Sequence, residues 1–201
     1  MHFEKVSYIR FLIDVNNLYN KQISSDNEIL AMYNKIKLPR RSTERSAGYD
    51  FVIPYSIDIY KGSSIVIPTG IRAVDMPSNV VLLMAPRSGL GFRYRVSLAN
   101  TIGVIDSDYA DSSNSGHILI KICYDGFNYD TKIDDNSLID YENSVLSVST
   151  SKVDLENATD TPLHLSAGDR FCQGIFTYCL FVDNDECKNI RDGGFGSTGN
   201  T

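Results

Sequence analysis

Short runs of hydrophobic residues, separated by turn residues, make up most of the chain. The segments SSIVIPTG and NVVLLMAP are apolar runs of strand length that meet Pro68 and Pro86 near their ends. In HILIKICY the apolar and polar positions alternate, which places Ile118, Ile120 and Ile122 on one face of a strand. The apolar and aromatic segment FCQGIFTYCLFV completes the pattern. Short strands at this spacing predict an all-β sandwich or barrel.

One segment, SDNEILAMYNKIKL, has the spacing of a short helix rather than that of a strand. It opens with Ser25 and Asp26, which are residue types that cap helix N-termini. Four apolar residues then recur on one stripe: Ile29, Met32, Tyr33 and Ile36. Pro39 would end the helix, since proline cannot continue the hydrogen-bond ladder.

The length and charge of the chain limit the classes of function. A chain of 201 residues is long enough for one domain with a sizeable core. The net charge of −6 disfavours sequence-blind nucleic-acid binding, but a few clustered arginines can still bind a small anion. No apolar run approaches the roughly 18 residues of a membrane-spanning helix, and Glu4 does not fit a signal peptide. We therefore expect a cytoplasmic protein with no nucleic-acid or membrane partner.

The cysteines and histidines do not have the spacing of a metal site. We interpret the cysteines as small buried apolar residues: Cys123, Cys172, Cys179 and Cys187. The histidines have no serine or cysteine partner in a catalytic pattern, and we expect them on the surface or on strands: His2, His117 and His164.

The segment APRSGLG is the first candidate for binding chemistry. Pro86 ends a strand and Gly89 permits a tight turn, so that Arg87 and Ser88 lie beside backbone N–H groups. A guanidinium, a hydroxyl and backbone amides together suit phosphate oxygens. A plain turn with a surface arginine has the same pattern.

A second candidate, NTIGVIDSDY, places Asp106 at the end of an apolar run. A carboxylate held there can orient and deprotonate a water molecule, whereas a simple aspartate-rich turn is the alternative. A calcium-binding loop is excluded because Ala110 and His117 occupy positions at which that loop needs oxygen ligands.

The segment AGDRFCQGI begins a strand with Arg170 and Gln173 at positions where burial is expected. A buried arginine normally pairs with a carboxylate, and Asp50 in SAGYDF is the candidate partner. A structural ion pair and a ligand-binding role are both consistent with this pattern.

Taken in order, SAGYDF, PRSGL, NTIGVIDSDY, GDRFCQ and GGFGSTG resemble the five motifs of the trimeric dUTP pyrophosphatases (dUTPases). The resemblance runs from Ser46 to Gly199, about three quarters of the chain. It implies a distorted jelly-roll or barrel-like β fold, a homotrimer with active sites at subunit interfaces, and a flexible glycine-rich C-terminal arm. It also implies hydrolysis of dUTP to dUMP and pyrophosphate, with Mg²⁺ held by the triphosphate and waters rather than directly by side chains. That reaction limits uracil incorporation into DNA and supplies dUMP for dTMP synthesis.

The resemblance also implies a role for each matching residue. Asp106 would activate the water that attacks the α-phosphorus, and Tyr109 would stack under the deoxyribose and exclude a 2′-hydroxyl. Asp50 and Arg170 would brace the phosphate site, and Phe195 would stack on the uracil ring. The uracil edge would be read by Asn100, Gly103 and Ile105. The remaining substrate-binding residues would bind the phosphates or form part of the closed arm: Arg87, Ser88, Gly89, Gln173, Arg191, Gly196, Ser197 and Thr198.

The resemblance divides the chain into one β domain, residues 1–190, and an arm, residues 191–201, that would close over the ligand as a lid. Four features depart from the family pattern. Arg191 stands one residue closer to the GGF segment than it does in the family. There is an N-terminal extension at 1–45, the glycine after motif three comes late, at Gly116, and an acidic insert covers about 125–160. Some phage members of the family carry additions at this last place, so a phage-encoded protein of the host cytoplasm is one interpretation.

Two alternatives remain open. A dCTP deaminase shares the fold and the PRSGL-like turn, but it needs a glutamate shortly after the third motif, and this chain has none between Glu44 and Glu142. The insert at 125–160 is either an exposed loop or a surface that binds another protein, which would add a regulatory role to catalysis.

Overall fold

The computed structural model describes residues 1–19, 25–125, 162–187 and 191, and short strands dominate them. The strands of this part are β1 (His2–Lys5), β2 (Arg40–Arg41), β3 (Tyr49–Val52), β4 (Ile57–Ile59), β5 (Ser63–Pro68), β6 (Ile71–Val74), β7 (Val80–Pro86), β8 (Val96–Leu98), β9 (Gly103–Ile105), β10 (Leu119–Tyr124), β11 (Leu163–Leu165) and β12 (Arg170–Tyr178). The helices are α1 (Tyr8–Tyr19), α2 (Asp26–Lys35) and α3 (Ser88–Tyr94), with a short 3-10 helix at Tyr109–Asp111. The predicted all-β class is confirmed.

The strands form antiparallel sheets, as the alternating sequence pattern requires. The largest sheet has the strand order β2-β3-β12-β7-β9, and a second sheet has the order β5-β10-β8. Two further pairings, β1 with β6 and β11 with β4, complete the arrangement of the described residues. The central strand β12 therefore joins the segments that carry the first, second and fourth sequence motifs.

The core is built from the faces that the sequence predicts to be apolar. Ile118 and Ile122 are fully buried and Ile120 is 5% exposed, so the predicted apolar face of β10 is confirmed. Phe51 on β3 and Phe171 on β12 are both 1% exposed and lie in the same core. Burial of each such side chain contributes about 1.5–3 kcal/mol to folding.

The N-terminal region contains a helix that the sequence analysis misses. In α1, Phe11 and Val15 lie four residues apart, on the same helix face, and both are buried in the core. At the end of α1 the Tyr19 hydroxyl donates to the carbonyl oxygen of Val66 at 2.5 Å and accepts from the Tyr55 hydroxyl at 2.6 Å. The extension therefore packs against the β domain.

The predicted helix is confirmed as α2, and a second unpredicted helix, α3, replaces a predicted turn. Helix α2 begins after Ser25, whose backbone N–H donates to the Glu28 carboxylate at 2.8 Å. In the segment APRSGLG the Arg87 carbonyl accepts the N–H groups of Leu90 and Gly91, both at 3.1 Å. These bonds begin a helix of seven residues, so the expectation of a tight turn at Gly89 is wrong.

Two other expectations need correction. Strand β12 ends at Tyr178, so the last residues of FCQGIFTYCLFV lie beyond it, and Leu180 is 97% exposed. Only one of the cysteines, Cys172, is buried, and burial raises the pKa of its thiol. Cys123 is half-buried because it lies on the face of β10 opposite the buried Ile122, whereas Cys179 is half-buried and Cys187 is exposed because both follow the end of β12.

Several predictions concern residues that the structure does not describe. Apart from Asp125, the insert predicted at 125–160 lies outside the described residues, and so does the arm 191–201 apart from Arg191. The division between a domain at 1–190 and an arm stays a prediction. Within the described ranges, none of the helices has the length and apolar character needed to span a membrane.

Candidate active site

Asp50 forms the centre of the group of charges predicted to bind phosphate. It lies on β3, opposite Gln173 of β12. Its Oδ2 atom is 3.2 Å from Arg170 Nη1, and its Oδ1 atom is 3.6 Å from Arg87 Nε. The Asp50 side chain is 13% exposed, so the carboxylate is largely enclosed by the two arginines it orients. The predicted pairing of Asp50 with Arg170 is confirmed.

Ser42 adds a hydroxyl to this group. Its Oγ donates to Asp50 Oδ2 at 2.6 Å and accepts from Arg170 Nη1 at 2.8 Å. Arg170 itself is not buried as expected, since its side chain is 44% exposed. It begins β12 at a register shift, where the strand is still at the surface. An exposed guanidinium held by a carboxylate remains available to an anion.

A cavity of about 270 Å³ lies beside these charges. Its lining residues are Arg87, Gly89, Leu90, Arg93, Tyr94, Leu165, Gly168, Asp169 and Arg170. A side chain added at Gly89 would meet no atom within 4 Å, so the backbone there is open to a ligand. The lining contains three arginines and one aspartate, so the net charge of the lining side chains is positive. A positive charge suits phosphate oxygens.

Gln173 and Ser88, both predicted to bind substrate, flank this cavity. Gln173 is half-buried on β12, and its Nε2 atom donates to the Pro86 carbonyl at 3.4 Å. Ser88 is the first residue of α3, directly after Arg87. The structure thus brings the predicted phosphate-binding residues of the second and fourth motifs together at adjacent strands β7 and β12.

The predicted base-reading residues lie at the turn between β8 and β9. Asn100 is in this turn, and its Nδ2 atom lies 3.7 Å from where a Cβ of Gly103 would be. The neighbouring Thr101 has φ of 61°, in the left-handed region that threonine rarely adopts. Ile105 ends β9, opposite Leu82 of β7. Asn100, Gly103 and Ile105 therefore lie along one segment from this turn to the end of β9, and their contact with the uracil edge stays a prediction.

Asp106 follows β9 directly. The Asp106 carbonyl accepts the Tyr109 N–H at 3.1 Å, which begins the 3-10 helix, and the Asp106 side chain is 48% exposed. Tyr109 is only 6% exposed. Its hydroxyl donates to the His117 carbonyl at 3.2 Å and accepts from Asn114 Nδ2 at 2.9 Å. Burial raises the pKa of the Tyr109 phenol, and the Asn114 hydrogen bond and the Arg191 charge offset this only in part.

The guanidinium of Arg191 forms ion pairs with two aspartates of this loop, Asp106 and Asp108. Its Nη2 atom pairs with Asp106 Oδ2 and its Nε atom donates to Asp108 Oδ1 at 2.8 Å. The guanidinium carbon is 5.7 Å from the centre of the Tyr109 ring. The cation thus neutralises the carboxylates of Asp106 and Asp108, and its predicted contact with phosphate stays a prediction.

His117 is a residue that the sequence analysis places wrongly. It is fully buried just before β10 rather than on the surface or on a strand, and its Nδ1 atom is 2.6 Å from Asp14 Oδ2 on α1. Asp14 is separated from His117 by 103 positions, so no local pattern indicates the pair. In hindsight the apolar spacing of α1 was the available signal, because it predicts a helix whose buried face includes Asp14.

In the single chain the two halves of the predicted site do not share a cavity. No residue of the segment 100–109 is among the described residues that line the cavity of Arg87 and Arg170. The loop after Asp106 instead contributes to another cavity, of about 370 Å³, lined by Glu4, Arg72, Val74, Asp75, Met76, Ser107, Ala110 and Asp111. The predicted arm residues Phe195, Gly196, Ser197 and Thr198 lie outside the described residues.

Relatives in sequence match this chain over most of its length. The sequence model of the dUTPase family matches residues 34–122. A deoxyuridine 5′-triphosphate nucleotidohydrolase of Lactococcus lactis is 32% identical over 177 residues, which is 86% of this chain and 95% of the relative. A protein of the same name from Shewanella baltica is 28% identical over 169 residues, 81% of this chain and 86% of the relative.

Solved structures have the same fold. The dUTPase from Streptococcus mutans matches with a TM-score of 0.55 at 25% identity, covering 92% of this chain and all of that one. A mutant dUTPase from phage phi11 of S. aureus, described as coordinating a structural Mg(II) ion, matches with a TM-score of 0.51 at 18% identity. That match covers 76% of this chain and 90% of the phage protein, and it supports the jelly-roll fold alone. From its sequence and its fold, the chain belongs to the dUTPase family.

Proposed function

We propose that this protein hydrolyses dUTP to dUMP and pyrophosphate, at sites shared between the subunits of a homotrimer. Family membership supports the reaction, and a trimer is consistent with the family. In a cell the activity would keep uracil out of DNA and supply dUMP. One observation carries the arrangement of the site: the phosphate-binding residues and the Asp106 loop line different cavities of one chain. A site that needs both sets must then be completed by another subunit.

Exposed apolar side chains support an assembly of this kind. Beyond the end of β12, Leu180 is 97% exposed and Phe181 is 62% exposed. Val104 on the edge strand β9 of the same sheet is 58% exposed. Phe92 on α3, next to the phosphate cavity, is 86% exposed. Packing against another subunit would remove this apolar surface from water.

The arginines would bind the triphosphate. Arg87 and Arg170 are oriented by the Asp50 carboxylate, so they are held in place before the ligand arrives. Preorganised charges cost no reorganisation when negative charge develops on the leaving pyrophosphate. The Ser88 hydroxyl and the open backbone at Gly89 would add hydrogen bonds to phosphate oxygens.

Asp106 would orient and deprotonate the attacking water. Its carboxylate is half exposed, and Asp106 is anchored between the end of β9 and the 3-10 helix that begins at Tyr109. A positioned carboxylate acts here mainly by holding the water in line with the α-phosphorus. The Arg191 cation now on Asp106 would have to move to the phosphates, which would free the base when substrate binds.

The turn that contains Asn100 would select the base of the substrate, and the ring of Tyr109 would select the sugar. Asn100 and the backbone at Gly103 and Ile105 would pair with the uracil edge and leave no room for a 5-methyl group. Tyr109 is buried and held by two hydrogen bonds, so its ring cannot move aside for a 2′-hydroxyl. Rejection of an added hydroxyl requires close packing of this kind.

Mg²⁺ fits this site as an ion carried by the triphosphate. The described residues contain no group of three or more histidine, cysteine, aspartate or glutamate side chains that could hold a metal. An ion bound through phosphate oxygens and waters needs no such group, and this is the coordination that Mg²⁺ favours. When bound it would neutralise phosphate charge and fix the geometry of the chain of phosphates.

The decisive experiment measures pyrophosphate release from dUTP, dTTP, UTP and dCTP by the wild type and by Asp106→Asn. We expect release from dUTP to be much faster than release from dTTP, UTP or dCTP, and to be reduced about 10²- to 10⁴-fold in the variant. Asp58→Asn is the matched control, because Asp58 is an exposed aspartate paired with His164. No release from dUTP by the wild type refutes the function, and equal rates in wild type and Asp106→Asn refute the role of Asp106. Sustained ammonia release from dCTP would favour a deaminase.

A further inference from the structure

The buried pair Asp14–His117 fixes the protonation of the histidine by hydrogen bonding alone. The His117 Nε2 atom lies 2.8 Å from the backbone nitrogen of Gly70. A backbone N–H can only donate, so Nε2 must be the unprotonated, accepting nitrogen. Nδ1 then carries the proton and donates to Asp14 Oδ2 at 2.6 Å. The ring is therefore neutral, in a single tautomer, and bound at both ends.

Asp14 is held from its other side by a cation on the same helix. Arg10 Nε donates to Asp14 Oδ2 at 2.8 Å, and its Nη2 atom pairs with Oδ1. Asp14 is 7% exposed. Burial raises the pKa of this carboxyl, but the hydrogen bonds from His117 and Arg10 outweigh it and the net change is a lowering. The carboxylate thus stays ionised and is a strong acceptor for the histidine.

The backbone of His117 in turn holds Tyr109. The His117 carbonyl accepts from the Tyr109 hydroxyl at 3.2 Å and from Asn114 Nδ2 at 3.1 Å. Asn114 Nδ2 also donates to the Tyr109 hydroxyl at 2.9 Å. Because the ring of His117 is tied to α1 and to the turn at Gly70, its carbonyl oxygen cannot shift without breaking those bonds.

We propose that His117 and Asp14 are positioning residues that set the place of the Tyr109 ring and so determine discrimination between deoxyribose and ribose. The proposal rests on the function proposed above, in which Tyr109 packs against the sugar. It assigns a catalytic consequence to α1, which lies in the N-terminal extension and carries none of the five motifs. Neither residue touches substrate, and both act through Tyr109.

Two substitutions at His117 separate its two hydrogen bonds. In His117→Asn the amide nitrogen replaces Nδ1 and keeps the bond to Asp14, and in His117→Gln the amide oxygen replaces Nε2 and keeps the bond to Gly70. Asp14→Asn removes the charge and replaces one accepting oxygen by an amide nitrogen that cannot accept from Arg10 or His117. His164→Gln is the matched control, since His164 Nδ1 lies 2.7 Å from Asp58 in an exposed pair on β11 and β4.

The measurement is the ratio of kcat/KM for dUTP to that for UTP. We expect this ratio to fall about tenfold in both His117 variants and less in Asp14→Asn, with no change in His164→Gln. The effect of His117→Gln should shrink in a Tyr109→Phe background, because both changes act on one contact. An unchanged ratio in folded variants, or fully additive effects with Tyr109→Phe, overturns the proposal. If the His117 variants do not fold, an unchanged ratio in Asp14→Asn overturns it.

A spectrum of the imidazole nitrogens distinguishes failure of this proposal from failure of the proposed function. Labelled wild-type protein should show His117 with a protonated Nδ1 and an unprotonated Nε2. A proton on Nε2 refutes the positioning network whether or not the protein hydrolyses dUTP. An inactive wild type with the expected tautomer refutes the proposed function, and the role in sugar discrimination is then refuted with it.

Discussion

Replacing Gly116 by alanine tests how tightly the loop that holds Tyr109 is packed. Gly116 has φ of +70°, and a Cβ built there would lie 2.6 Å from Ala110 Cα and 3.2 Å from the Tyr109 carbonyl oxygen. These are backbone atoms, so they cannot rotate out of the way as the end of a side chain can. The substitution must therefore displace the 3-10 helix that carries Tyr109.

Gly62 provides the control for the backbone conformation alone. Its φ is +72°, but a Cβ added there meets no atom within 4 Å. Both alanine variants lose about 1–2 kcal/mol of unfolding free energy for the left-handed conformation. Gly116→Ala loses about 1–3 kcal/mol more for overpacking. At about 2–4 °C per kcal/mol, the extra loss is visible as a lower melting temperature.

Denaturation should be compared at equal protomer concentration, since the stability of an oligomer depends on it. Pyrophosphate release from dUTP is then measured on the folded proteins. We expect kcat/KM to fall about tenfold to a hundredfold in Gly116→Ala, because displacement by a fraction of an ångström misplaces the site. Gly62→Ala should keep wild-type activity. Equal losses of stability and activity in the two variants would refute the packing argument.

Three further changes have definite expected outcomes. Asp50→Asn leaves two arginines without their shared carboxylate, so KM for dUTP should rise more than kcat falls, and steady-state kinetics with an unchanged KM would contradict this. The pKa of Asp14 is lowered from 3.8, because hydrogen bonds from His117 and Arg10 outweigh burial, so the ionised carboxylate stabilises the fold above that pH. Denaturation of wild type and Asp14→Asn should therefore show a difference that shrinks as pH falls below 3.8, and a constant difference would count against it. Thr101→Asn should raise the unfolding free energy by about 0.5–1 kcal/mol, because asparagine tolerates the left-handed conformation, and a lower melting temperature would argue otherwise.

The sequence predicts those features of the fold that depend on the local pattern of residue types along the chain. The alternation at Ile118, Ile120 and Ile122 indicates which face of β10 is buried, because successive side chains of a strand point to opposite sides. The pairing of Asp50 with Arg170 could also be predicted, since a polar residue at the start of a core strand needs a partner. The order of the five motifs indicates the family, and this inference needs no knowledge of three-dimensional contacts.

Other features depend on contacts that no local pattern contains. APRSGLG has the composition of a turn, yet hydrogen bonds from Leu90 and Gly91 to Arg87 continue it as a helix. Burial of His117 requires a carboxylate from a helix about a hundred positions away, together with the backbone of Gly70. From residue type alone a histidine is expected on the surface or on a strand. Burying an imidazole without a hydrogen-bond partner costs free energy.

The departures from the family pattern are connected in space. The hairpin after motif three reaches its glycine late, at Gly116, and a longer loop costs more conformational entropy to hold in one arrangement. The residue that follows, His117, is bound by Asp14 of α1, which belongs to the N-terminal extension. The helix thus supplies the buried partner that fixes the longer loop and, through it, Tyr109. Loss of α1 without a compensating change in the loop would therefore disorder Tyr109, which is proposed to contact the sugar, before it affected Arg87 and Arg170, which are held by Asp50 on β3.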